Sequence, residues 1–241
     1  MRLLVTRPEP DAQALAERLA ALGHETVVEP LMHIEFPIED ALTSQAIQAV
    51  IATSRNGVRA LMRNPACDAL ATKPVFAVGP ATAECCKQAG FQTIHVGSGS
   101  AMSLIPLIRD LGRAGAGRLL HLAGEVLAID IKTPLEKQGF EVVAPVTYRS
   151  IPATRLSESV RLQIAGGRID GVILMSPRSA QIFQRLILAD KLAGPVRQLL
   201  IYCLSDAVAD ALSELGSVQT RVAAEARLEV LLALIQNEAA L

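Results

Sequence analysis

Leu22-Gly23-His24-Glu25-Thr26-Val27-Val28 returns further along the chain as Lys137-Gln138-Gly139-Phe140-Glu141-Val142-Val143. Upstream of these runs, Leu4-Val5 is matched by Leu119-Leu120. Downstream, Val50-Ile51-Ala52-Thr53-Ser54 returns as Val172-Ile173-Leu174-Met175-Ser176, and Val75 to Gly90 returns, more altered, as Leu200 to Gly216. The chain is therefore an imperfect repeat with a spacing of about half its length. A duplicated α/β unit predicts two lobes facing each other across a cleft, and such a cleft is where a ligand site is expected.

Short aliphatic runs alternate with helical patterns from end to end. Strands are predicted near 2–6, 25–29, 47–53, 74–78, 92–96, 118–122, 141–147, 170–175, 198–204 and 218–222. Most are apolar on both faces, as parallel strands covered by helices should be. Leu15, Leu19 and Leu22 fall on one helical face, and Gly23 stands where a glycine closes a helix. This alternation reads as doubly wound α/β with mostly parallel sheets. Ser54, Ser100, Ser176-Pro177 and Ser205 or Asp206 supply helix N-caps, and Pro106 predicts a kink or a late helix start.

Composition narrows the function classes. Among 241 residues 51% are hydrophobic and 20% charged, which favours a packed core over disorder. Aromatics are 3% and Trp is absent, so the core must be aliphatic. A formal net charge of −1 argues against a nucleic-acid footprint. No apolar run is long enough to span a membrane. Met1 to Pro8 meets charge and proline too early for a signal peptide, so a cytoplasmic location is expected. Cys67, Cys85, Cys86 and Cys203 have no metal-site spacing and read as reduced structural thiols.

No dinucleotide fingerprint follows the first strand, and neither a phosphate-binding loop nor a metal cluster is evident. His24, His33, His95 and His121 are far apart in sequence and read as surface or strand-end histidines. What remains is a set of polar residues at the carboxyl ends of strands, the edge where open parallel sheets bind ligands. The set is Thr6-Arg7, Thr53-Ser54-Arg55-Asn56, Gly79-Pro80-Ala81-Thr82, Ser176-Pro177-Arg178-Ser179 and Ser205-Asp206. Hydroxyls, helix N-terminal amides and arginines together suit an anionic ligand, above all carboxylates. Any one serine there can equally be a plain helix cap. Of two tyrosines, Tyr202 lies in an apolar run and belongs to the core, whereas Tyr148 ends a strand and precedes Arg149. A phenol with an unperturbed pKa of about 10 is protonated at neutral pH and can donate a proton.

Composition places a domain cut at the flexible stretch Gly112 to Gly117, giving two lobes in tandem. Prolines at Glu35-Phe36-Pro37 and Ser150-Ile151-Pro152 offer a competing layout in which the chain crosses between lobes twice. Periodicity does not choose between them.

The motifs resemble those of the uroporphyrinogen-III synthase family over essentially the whole chain. Leu4-Val5-Thr6-Arg7-Pro8 is similar to the family's opening. Thr53 to Val58 resembles its first strand-to-helix turn, and Val78 to Ala83 a second. Val146-Thr147-Tyr148-Arg149 resembles the strand that carries the family's tyrosine, and Met175 to Ala180 a further turn. One late turn departs from the pattern: Ser205-Asp206-Ala207-Val208-Ala209 stands where many members carry paired threonines.

The resemblance implies two flavodoxin-like lobes with parallel sheets joined by a two-stranded linker. Residues 1–35 with 152–241 would form one lobe and 38–149 the other, with linkers at 35–38 and 149–152. It implies a lyase that converts hydroxymethylbilane to uroporphyrinogen III, with loss of water and inversion of ring D, and that needs no cofactor and no metal. Tyr148 is then the general-acid candidate. Thr6, Arg7, Ser54, Arg55, Asn56, Gly79, Thr82, Arg149, Ser176, Arg178 and Ser205 are the substrate-binding candidates. A monomer is expected, with a transient handover from the enzyme that makes the substrate. The competing reading is a catalytically inactive two-lobed binding or regulatory domain for an anionic small molecule.

Overall fold

A computed structural model describes residues 1–37, 42–127 and 129–239. Residue 38, where the expected second lobe begins and the first linker ends, lies outside the described residues, as do 240 and 241. The strands in chain order are β1 (Arg2–Val5), β2 (Glu25–Val28), β3 (Met32–Glu35), β4 (Ile47–Ala52), β5 (Val75–Ala77), β6 (Ile94–Val96) and β7 (Arg118–His121). They continue as β8 (Ala123–Gly124), β9 (Glu141–Val143), β10 (Val146–Pro152), β11 (Gly171–Leu174), β12 (Leu200–Cys203) and β13 (Gln219–Val222). Two compact units emerge, one of Met1–His33 with Ile151–Leu241 and one of Ile34–Ser150.

Each unit is built on a five-stranded sheet whose strand pairs are all parallel, ordered β13-β12-β11-β1-β2 in the first and β6-β5-β4-β7-β9 in the second. The first unit thus has the flavodoxin-like order when its strands are counted along the chain. The second has the same spatial arrangement reached by a circularly permuted route. Its first three strands, β4-β5-β6, take the places of β11-β12-β13, and its last two, β7 and β9, take those of β1 and β2.

Registers refine the repeat. Leu4 lies opposite Val172, and the matching Val50 lies opposite Leu120, so Leu4 corresponds to Leu120 rather than Leu119. Val75 pairs with Val50 and Ile201 with Val172, so Val75 corresponds to Ile201 rather than Leu200. A one-residue shift matters because it moves every side chain to the opposite face of its sheet. With this register Gly23 and Gly139 coincide. Both have positive φ, 84° and 85°, and both close the same hydrogen-bonded loop. His24 N–H reaches Leu19 O at 3.0 Å, and Phe140 N–H reaches Leu135 O at 3.2 Å. Glycine is required at that turn because a side chain disfavours the left-handed conformation.

Two apolar layers cover each sheet. In the first unit Leu4, Val172, Ile182, Phe183 and Leu186 pack on one face, and Leu3, Val5, Leu15, Leu19, Tyr202 and Leu231 on the other. In the second, Val50, Val58, Leu61 and Leu120 fill one face, and Ile51, Phe76, Leu104, Leu119 and Leu135 the other. Tyr202 is core, fully buried.

The predicted strand at 141–147 is two strands. Proline at 145 has no N–H to extend the β7–β9 ladder, and after it β10 pairs with β8 instead. The boundaries of both units fall inside β3 and β10, which are neighbours in a separate sheet ordered β3-β10-β8. The cut near Gly115 is therefore not a boundary: that loop lies within the second unit, and the segments it would separate supply paired strands β4 and β7.

This interleaving has a direct consequence for fragments. Residues 34–150 hold a complete sheet and are expected to show a cooperative thermal transition on their own. Residues 1–114 hold two incomplete sheets and are expected to show none in the same circular-dichroism melt.

Candidate functional site

In a doubly wound sheet the crevice lies where helices leave adjacent strands toward opposite faces. In the first unit this point falls between β1 and β11. The helix Asp11–Ala21 packs on one face through Leu15 and Leu19, and Pro177–Ala189 packs on the other through Ile182 and Phe183. In the second unit it falls between β4 and β7, where the helix Arg55–Leu61 covers one face and Lys132–Glu136 the other. The candidates divide between the units. Thr6, Arg7, Ser176, Arg178 and Ser205 belong to the first, and Ser54, Arg55, Asn56, Gly79, Thr82, Tyr148 and Arg149 to the second. Thr6, Arg7, Ser176 and Arg178 follow the strands that flank the first point, and Ser54, Arg55 and Asn56 follow one that flanks the second. Gly79 and Thr82 instead follow β5, Ser205 follows β12, and Tyr148 and Arg149 lie in β10.

In the first unit much of the hydrogen-bonding capacity is internal. Thr6 is buried and its hydroxyl donates to the Ile173 carbonyl at 2.7 Å, bolting β1 to β11. Arg7 reaches Asp11 at 3.2 Å, an i,i+4 ion pair at a helix start where the acid also meets the positive end of the dipole. Ser176 caps its helix: its Oγ accepts from Ser179 N–H at 3.1 Å and lies 2.8 Å from Ser179 Oγ. Pro177 follows at the first helical position. Arg178 is half-buried on that first turn. Ser205 occupies a cap position without making a side-chain cap bond. Val208, which replaces a threonine of the family pattern, is buried and packs into the core of its unit.

In the second unit Ser54 caps its helix by accepting from Asn56 N–H at 3.1 Å, and Asn56 Oδ1 accepts from Arg59 at 2.9 Å. Arg55 opens the helix next to them. Gly79 caps the neighbouring helix Pro80–Gln88, and Thr82 is buried in that helix's first turn. β4 pairs with β5, so these two turns lie side by side. Arg149 pairs with Glu125 at 3.1 Å, both half-exposed.

Tyr148 lies within β10, opposite Gly124 of β8. A methyl group built on Gly124 would come within 2.6 Å of Tyr148 Cζ and 2.8 Å of its hydroxyl oxygen. The ring therefore rests directly on the glycine backbone, and no other residue leaves it that position. The strand beneath is fixed by Thr147, whose hydroxyl donates to Ala123 O at 2.9 Å, and by Glu125 N–H, which donates to Tyr148 O at 3.0 Å.

The structure adds a group that sequence reading passed over. His121, the last residue of β7, is a strand-end histidine but is fully buried, with Nε2 2.9 Å from Thr53 Oγ1. Burial pushes its pKa down to about 4, against a smaller upward pull from Asp130. His24 is also buried, and its pKa is lowered, first by burial and then by the N-terminal charge. The signal was a histidine inside the apolar run Leu119 to Leu122, at the end of a predicted strand. Cys67, Cys85, Cys86 and Cys203 form no disulfide, and burial raises Cys86 and Cys203 to about 12, so neither of these two is a thiolate nucleophile at neutral pH. Among the described residues no cluster of His, Cys, Asp or Glu could hold a metal ion, and no helix is long and apolar enough to cross a membrane.

Two doubly wound parallel sheets of matching strand arrangement, traversed by a chain that passes twice between units, define an α/β protein of bilobal class. The model of the family described as Uroporphyrinogen-III synthase HemD matches residues 13–233, and the chain belongs to that family. Among solved structures it is similar to uroporphyrinogen-III synthetase from Helicobacter pylori, with 18% identity over 98% of each chain and a TM-score of 0.65. It is also similar to a mutant uroporphyrinogen III synthase from Thermus thermophilus, with 21% identity over 100% of this chain and 98% of that one, and a TM-score of 0.56. No curated protein matched in the corresponding sequence search. The family acts on hydroxymethylbilane in tetrapyrrole biosynthesis as a lyase-type cyclase.

Two outcomes follow from this geometry. Gly124→Ala forces the Tyr148 ring off its seat and is expected to cost about 1–3 kcal/mol in thermal denaturation. For His121 the unfolded imidazole titrates near the ordinary histidine value of 6.5 and the folded one at about 4. Between those values the unfolded state holds more protons, so stability is complete above pH 6.5 and is lost as pH falls toward 4. The loss should approach about 3 kcal/mol. His24 adds in the same direction. Urea titrations from pH 7 to pH 4 should show the decline, reduced in His121→Val.

Proposed function

We propose that this chain works as the ring-inverting cyclase of its family, with Tyr148 as general acid and the polar strand ends as receptors for substrate carboxylates. Hydroxymethylbilane carries its negative charge on carboxylates, and the strand ends offer capped helix starts, hydroxyls and arginines, which suit such groups. In this reading Tyr148 gives its proton to the terminal hydroxyl, which departs as water and leaves an azafulvene electrophile. The substituted carbon of ring D attacks, and the resulting spiro intermediate fragments and recloses with ring D inverted. The proton released as the ring regains aromaticity restores the phenol. Unassisted closure gives the uninverted isomer, so the protein's main contribution is to hold the chain ends in one geometry.

The observation that carries the Tyr148 assignment is its seat on Gly124. A ring held against backbone presents its hydroxyl from a fixed place, as acid catalysis requires. The candidates differ in what they can give. Thr6 is committed to the sheet, so it supports the site by holding β1 to β11. Ser54 and Ser176 hold the helix N-termini whose amides would face anions. Arg149 would exchange its exposed partner Glu125 for a substrate carboxylate at little cost. The working lobes are residues 1–35 with 152–241, and 38–149. The protein acts as a cytoplasmic monomer without cofactor and takes its substrate from the enzyme that makes it.

Incubation with hydroxymethylbilane followed by separation of the isomers tests the assignment. Uroporphyrinogen III is expected, and formation of isomer I alone would refute it. Tyr148→Phe is expected to lower kcat by about a hundredfold with little change in KM; an unchanged kcat removes the acid role.

A further inference from the structure

The two units solve the same packing problem differently at one place. With the register set by the strand pairs, Val5 of β1 corresponds to His121 of β7, and Met175, which follows β11, corresponds to Thr53, which follows β4. Val5 is fully buried and belongs to an apolar cluster against which Met175 packs. The fold is therefore satisfied there by two apolar side chains. The second unit instead carries a buried imidazole bonded to a hydroxyl. A polar pair in a site that aliphatic groups fill equally well gives the fold no evident gain, since each polar group must be stripped of water. The pair also stands between β4 and β7, at the switch point of its sheet, beside the turn Ser54-Arg55-Asn56.

The hydrogen bonds fix its direction. His121 Nδ1 is buried and has no partner among the described residues. A buried N–H left without an acceptor is rarer and costlier than an under-used lone pair. The imidazole therefore carries its hydrogen on Nε2 and donates it to Thr53 Oγ1. Thr53 has a single hydroxyl proton. With Oγ1 accepting from below, that proton is free to point away from the core. Thr53 is half-buried, so its hydroxyl sits at the boundary between core and solvent.

We propose that His121 is a positioning residue that turns the Thr53 hydroxyl outward as a hydrogen-bond donor for one carboxylate of the substrate. This rests on the tetrapyrrole reading above and adds to it a receptor group, Thr53, and the buried side chain that orients it. Ser54 next to it has its oxygen engaged in capping, which leaves Thr53 as the better-aimed hydroxyl of the turn.

Steady-state kinetics with hydroxymethylbilane and histidine nitrogen NMR test the proposal together. Thr53→Val and His121→Val are each expected to raise KM about five- to tenfold, the loss of one hydrogen bond to a charged group, with kcat within about twofold. The double variant should be no worse than either single one, because both remove the same donor. Thr53→Ser should stay within about twofold of the original. Additive effects in the double variant, or a fall in kcat at unchanged KM, would overturn the proposal. If His121→Val fails to fold, Thr53→Val and Thr53→Ser carry the same comparison. The NMR reading is independent of turnover: neutral His121 protonated on Nε2 is expected, and protonation on Nδ1 overturns the proposal. A protein that makes no uroporphyrinogen III at all sinks the enzymatic reading instead, and the tautomer then decides for or against the oriented hydroxyl.

Discussion

Parallel pairing of β1 with β11 and of β4 with β7 is the contact on which both units depend. Each of these pairs joins the two repeats, Leu4 to Val172 and Val50 to Leu120, and each lies at the centre of its sheet. Without it a unit would be left with a two-strand piece and a three-strand piece, neither able to cover both its faces. The contact is long-range, so its formation must overcome the loop entropy of more than a hundred residues in the first unit. Thr6 strengthens the first pair at its carboxyl end, and the His121–Thr53 bond occupies the corresponding end of the second.

The same pairing creates the place where chemistry is expected. At a switch point the helices diverge to opposite faces and leave the strand ends uncovered. What fills that edge need not serve packing. In one unit it is Val5 and Met175, in the other His121 and Thr53. Near-identical scaffolds therefore present unequal edges, which is what a substrate with inequivalent ends requires. Tyr148 belongs to this unequal half. It stands on Gly124, in the small sheet β3-β10-β8, apart from the two five-stranded sheets.

Much of this was legible in the residues. Apolar runs gave the ten strands of the two main sheets, glycine gave the helix closure at 23, and Ser54 and Ser176 gave the caps they make. These features depend on neighbours within a few positions along the chain. The short strands β3 and β8 fell outside the predicted runs, and β10 was merged with β9 because Pro145 interrupts what reads as one run; the pairing partners of all three lie in distant segments. Both slips in matching the repeats were by one residue. Composition alone leaves such a slip undetected, since the runs are apolar on both faces. The strand-end position of His121 was legible, but its burial against Thr53 depends on the pairing of β4 with β7.

The sequence by itself determined the class of fold, the repeat, the parallel sheets and the polar strand ends, since periodicity, glycine and capping chemistry are local. Only the tertiary structure decided which half of one repeat completes which half of the other. Two similar patterns can pair in tandem or crosswise with similar local energies, and the pairing of β1 with β11 and of β4 with β7 settles the matter. Pairing of β4 with β7 sets His121 against Thr53, and pairing of β10 with β8 sets Tyr148 upon Gly124, because side chains more than twenty residues apart meet only when their strands do.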